Sequence, residues 1–152
     1  MYNAVNERTG IEFGKDSITV QKFIAGIKGG RILTIDDGYP LDVVLSGHVI
    51  ITDGDGTYKP MPLVQKTEGS GDNATPLTDA DGKPVHEYGQ LPGGYSYAGI
   101  LYRSLRAKKP AASIMTNGQV NSACVPYAMD DILAAFKAAC PLIEFIKDEE
   151  AQ

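Results

Sequence analysis

The chain has 152 residues, 43% of them hydrophobic, and carries a formal net charge of -5 with a pI near 4.9. That length suits one domain around one core, and the acidic balance argues against a phosphate backbone as partner, because nucleic acids are held largely by concentrated Lys and Arg. No basic leader runs into an apolar core and no apolar run approaches bilayer length, so a soluble protein made in the cytoplasm is expected, without a membrane partner.

In chain order, the first 30 residues are broken by Gly10, Gly14, Gly26, Gly29 and Gly30. They interrupt Ile11 to Phe13 and the longer Ser17 to Ile27, whose alternation could support a strand. Residues 1–30 therefore read as an N-terminal arm or edge segment, ahead of a single β-rich domain over 31–147 and a charged tail over 148–152. Ile32, Leu33 and Ile35 form a short β-like run stopped by Asp36, Asp37, Gly38 and Pro40. Val43 to Leu45 and Val49 to Thr52 are further candidate strands, favoured by branched side chains and period-two patterning.

From Thr67 to Gly94 large apolar residues become scarce. This surface excursion, about 67–94, reads as a function-bearing loop or a hairpin that the pattern does not resolve. Tyr95 to Tyr102 restores a strand pattern. Ala111 to Thr116 continues it, and Asn117-Gly118 has the chemistry of a tight hairpin turn. Met129, Leu133, Phe136 and Cys140 follow helical spacing and predict a helix from about Tyr127 to Cys140, ended by Pro141. Leu142 to Ile146 then reads as a terminal strand or extended packing segment. The fold class expected is mainly β with a C-terminal helix.

Few residues suggest chemistry. Asp53-Gly-Asp-Gly-Thr57 opens like a calcium loop, but Pro60 and Pro62 interrupt it and Val64 stands where a bidentate acid is needed. An exposed turn explains it as well. His48 lies in an apolar run and His86 in the excursion, and with Cys124 and Cys140 they approach no zinc-site spacing. The cysteines are too few for a disulfide scaffold and read as buried thiols. Gly26-Ile-Lys-Gly-Gly30 lacks the phosphate-loop arrangement, and no nucleophile, base and orienting group stand at a distinctive spacing. No catalytic residue, metal ligand or cofactor is expected, and the protein reads as a non-enzyme working through its surfaces.

Several pieces, in order, carry a resemblance: Thr57-Tyr-Lys-Pro-Met-Pro-Leu63, Gly99-Ile-Leu-Tyr102, Lys109-Pro-Ala-Ala-Ser-Ile-Met115, Asn117-Gly-Gln-Val-Asn121, and the helix over Asp130 to Ala139 followed by Pro-Leu-Ile-Glu-Phe-Ile146. Over about Gly30 to Lys147, outside the excursion, the chain resembles the head decoration proteins of tailed bacteriophages. The resemblance implies a small β-rich decoration-protein-like domain, usually a homotrimer, seated on the outer face of the capsid in the virion and cementing the major capsid protein. It also implies an N-terminal arm that contributes to attachment. On this chain Ile11, Phe13, Val20 and Phe23 are the candidate capsid-binding arm residues. The competing expectation is a β-rich glycan- or host-surface-binding module using Tyr88, Tyr95 and Tyr97.

Overall fold

The computed structural model describes residues 16–149. After one helical turn, α1 (Asp16–Thr19), come β1 (Val20–Gly26), β2 (Arg31–Ile32), β3 (Val43–Val44), β4 (Val49–Thr52) and β5 (Tyr58–Pro60). β6 (Leu63–Gln65) leads into the excursion, which contains β7 (Thr67–Glu68), β8 (Thr75–Pro76) and β9 (His86–Tyr88). Then follow β10 (Ser96–Leu101), β11 (Leu105–Arg106), β12 (Ala111–Ala112), β13 (Ile114–Asn121), α2 (Leu133–Ala139) and β14 (Ile143–Ile146). The fold is mainly β with one short C-terminal helix.

The main sheet runs β1-β13-β10-β4-β5, with β14 also paired to β13. All its pairings are antiparallel except β13 with β14, which is parallel. A parallel neighbour needs a crossover rather than a hairpin, and the segment containing α2 supplies it. Successive side chains on a strand point to opposite faces, and here both faces are covered. Val49, Ile51, Ile100 and Met115 pack with Phe136 and Ile143 in one cluster. Their neighbours Ile50, Leu101 and Ile114 pack with Leu33, Val44 and Leu105 in the other. Strand β4 thus has Val49, Ile50 and Ile51 all fully buried, which is why its sequence is an unbroken apolar run rather than an alternating one.

Phe136 fixes the helix onto the sheet. It is fully buried and meets Tyr97 and Phe145 edge-on, with ring centroids 5.6 and 5.8 Å apart. Burying a side chain of this size is worth about 1.5–3 kcal/mol, before the added gain of edge-to-face contacts.

Two expectations are corrected. The helix begins at Leu133, not near Tyr127, because a turn from Ile132 N–H to the Met129 carbonyl (3.0 Å) precedes it. Tyr127 and Met129 are buried all the same, so their spacing reflects burial from irregular backbone. Asn117-Gly118 forms no hairpin turn, since β13 runs straight through it. Gly118 has an ordinary strand conformation, but a Cβ there would collide with the Lys22 carbonyl and the Met115 sulfur. The glycine allows β1 and a core methionine to approach closely.

The excursion resolves into hairpins. β6 pairs with β9 at its base, beyond which the chain forms two successive hairpins, one of β7 with β8 and one closed by the Thr78–Pro84 bridge. Between them, Lys66 N–H donates to the Val85 carbonyl and Leu77 N–H to the Lys66 carbonyl, both at 2.8 Å. Its order comes from backbone hydrogen bonds, because most of its side chains are exposed.

Candidate binding surface

Of the four arm residues, Ile11 and Phe13 lie outside the described residues. Val20 is a core residue rather than an arm contact: it opens β1, pairs with Val120 and is only 5% exposed. Phe23 stays at the surface, 41% exposed, with its ring 4.7 Å from that of Tyr102. Residues 20–26 are therefore a strand on the edge of the main sheet.

This edge is extensive. Beyond β1, Ile27 N–H donates to the Ile114 carbonyl at 2.9 Å and Leu33 N–H to the Pro110 carbonyl at 2.8 Å, while β2 pairs with β12. Residues 20–33 thus follow one continuous stretch, 110–120, and β1 has no strand on its other side among the described residues. Gln21 to Ala25 are five consecutive exposed residues. Ile24 is 54% and Ile32 69% exposed, so the ribbon presents apolar side chains beside unpaired backbone groups. Such an edge is a template for strand addition by another chain.

The other sequence candidates have local roles. Asp53 accepts from the backbone N–H of Asp55 (2.8 Å) and Thr57 (3.1 Å), closing the β4–β5 hairpin. The Asp55 amide, above all, holds this carboxyl below its ordinary range. Asp79 does the same for the N–H of Asp81 and Lys83, both at 2.9 Å, so the calcium-like pattern is a turn used twice. Both thiols are free and buried, and burial pushes the Cys140 thiol up to about 11.

His48 is fully buried at the foot of the excursion, with Nε2 2.9 Å from the Met61 carbonyl. Tyr88 and Tyr127 stand edge-on to it at 5.3 and 5.4 Å, and Tyr39 lies at 6.1 Å. Burial lowers the His48 pKa to about 4, against the opposing pull of the Met61 carbonyl. It raises Tyr127 to about 12, and Tyr39 and Tyr88 further still. All four side chains are neutral near pH 7, which makes the cluster an aromatic plug joining the excursion to the core rather than an acid–base pair. Positions 39, 48, 88 and 127 are too dispersed to show this as a local pattern.

The three tyrosines considered for glycan binding do not form one platform. The Tyr88 hydroxyl accepts from Val49 N–H at 3.0 Å, and Tyr97 packs on Phe136. The Tyr95 ring is covered by the Lys59 ammonium at 4.5 Å, and Lys59 is also paired with Asp36 at 3.1 Å.

One further feature carried no sequence signal. A cleft of about 500 Å³ lies between β6–β9 and the turn before α2, lined by Val64, Tyr88, Leu91 and Ile132 with Glu87, Asp130 and Asp131. No helix among the described residues is long and apolar enough to cross a membrane, and no group of three potential metal-binding His, Cys, Asp or Glu side chains occurs among them. No family model, curated protein or solved structure matches the chain.

Proposed function

We propose that the chain is a capsid decoration protein, a homotrimer that binds the major capsid protein on the outer face of a phage head and stabilises the shell. The observation that carries this reading is the edge over residues 20–33, where β1 has no strand on its outer side among the described residues and Phe23, Ile24 and Ile32 are exposed. A cement protein needs modest contacts repeated over a closed lattice, and symmetry multiplies each of them. An edge strand supplies backbone hydrogen bonds to an extended capsid segment, and its apolar side chains supply register. The ordered sequence resemblance points the same way, and the function works by binding, with no cofactor.

The test is co-sedimentation with expanded, undecorated phage heads. Removing residues 1–14 leaves β1 in place, whereas cutting at residue 30 would delete a sheet strand and confuse binding with folding. We expect this truncation and the surface variant Phe23→Asp/Ile24→Asp each to lower head occupancy at least tenfold, with the fold intact by circular dichroism. Unchanged occupancy in both would refute the proposal.

A further inference from the structure

Charge is distributed unevenly over this acidic chain. Residues 17–35 contain Lys22, Lys28 and Arg31 and no Asp or Glu, and residues 88–129 contain four more Lys and Arg and again no acid. The fold places these two stretches against each other through β1 on β13 and β2 on β12. None of these four basic residues lies on β12 or β13, but the Arg103 guanidinium stands 4.8 Å over the Tyr102 ring that meets Phe23. Lys22, Lys28 and Arg31 lie on the ribbon itself, so the apolar edge that bears Phe23, Ile24 and Ile32 is also cationic. Lys22 and Lys28 are exposed, and neither makes an ion pair among the described residues.

The cleft is its complement. Its apolar wall is formed by Val64, Leu91 and Ile132, and Val64 is 47% exposed. Glu87, Asp130 and Asp131 line the same space without an ion pair among the described residues. At about 500 Å³ it has room for one or two large side chains. The two surfaces belong to opposite ends of the sheet: β1 ends it on one side, while the excursion that walls the cleft leaves after β5, which ends it on the other.

We propose that the cationic edge of one copy seats in the acidic, apolar-walled cleft of a second copy. Exposed apolar side chains of β1 enter the cleft, and Lys22 and Lys28 face Glu87, Asp130 and Asp131. Opposite charges at the rim fix the orientation and speed encounter, and burial of the apolar side chains holds the contact. Two different surfaces meet, so the contact is heterologous and builds a ring where the rotation closes and a filament where it does not. The contact rests on these two surfaces and takes the same edge that an extended capsid segment would take, so self-association and head binding compete for it, and sedimentation without heads tests the former by itself.

The test is sedimentation velocity of the full-length chain without capsids, at low and high salt. Self-association should weaken at least tenfold on raising the salt, because exposed charge pairs are screened. Lys22→Glu/Lys28→Glu should weaken it at least tenfold at low salt, and Asp130→Lys/Asp131→Lys likewise. All four positions are exposed, and thermal melts check that each variant is folded. Combining all four reversals in one chain should restore association to within about threefold, since the edge and the cleft of every copy are then oppositely charged again. A chain that remains monomeric at every concentration at low salt overturns the proposal, as does a folded fourfold variant that fails to recover. A monomer whose edge instead binds a polyanion such as poly-glutamate or duplex DNA also overturns it, and gives the edge a different occupant.

Discussion

The β4–β5 hairpin and the excursion reverse direction by the same chemistry, an aspartate accepting two backbone N–H groups two and four residues ahead, with a positive-φ glycine between them at Gly56 and Gly82. They differ in what the adjoining strands bury. Beside the first turn, Val49, Ile50 and Ile51 are fully buried, whereas the second is flanked by exposed residues with only Leu77 and Val85 partly covered. Turn chemistry sets where the chain folds back, and burial on both faces of β4 sets which hairpin holds the protein together. The excursion is then free to serve as a surface.

The largest effect should come from emptying the buried side of this contrast. Ile51→Ala removes a fully buried side chain from the cluster around Phe136 and is expected to cost about 2–5 kcal/mol. Replacing residues 67–84 with a two-residue Asn-Gly turn between Lys66 and Val85, whose backbones are already bonded, should cost about 1 kcal/mol or less, since little apolar area is lost. Urea denaturation of both variants measures the difference. Equal losses would mean that the excursion carries stability its exposure does not show.

Where the two regions meet, pH is the lever. His48 has a folded pKa of about 4, below its unfolded value of 6.5, so between these values the unfolded chain binds more protons than the folded one. Its contribution is fully present above about pH 6.5 and is lost as the pH falls toward 4, amounting to roughly 3 kcal/mol in all. Urea midpoints from pH 7.5 to 4 should fall in the wild type and fall less in His48→Gln, which has no ring to protonate. Parallel curves would show that carboxylates alone set the acid response.

The same contrast explains how much could be read from residues alone. Val49 to Thr52 is legible as a strand from its branched side chains, whereas the expected period-two alternation is absent because both faces of β4 are buried. Asn117-Gly118 misled because the turn preference of that pair is local, whereas Gly118 answers to Lys22 and Met115 across the sheet and in the core. The helix was extended too far because irregular backbone buries Tyr127 and Met129 at helical spacing. The pairing inside the excursion left no periodic trace, since neither of its faces is consistently buried. Of the candidate arm residues, Phe23 lies exposed on the edge and Val20 is buried, because alternation in β1 says nothing about which residue meets Val120. The cleft joins residue 64 to residue 132 and has no local signature at all.

The smallest effect isolates the turns themselves. Asp53→Ala removes two carboxylate–amide hydrogen bonds at the end of a hairpin whose strands are packed in the core, so any loosening is coupled to global unfolding. It should lower Tm by a small fraction of the Ile51→Ala effect, and that difference should fade as the pH drops and the wild-type carboxylate is protonated. Asp79→Ala removes two bonds of the same kind where opening exposes little apolar surface. Local opening there is independent of the core, so Tm should stay unchanged while amide exchange at Asp81 and Lys83 accelerates. Hydrogen-exchange mass spectrometry beside thermal melts reads both quantities. A matching fall in Tm for the two variants would show that the excursion unfolds together with the sheet, and that the division between a packed hairpin and a projecting one does not extend to their energetics.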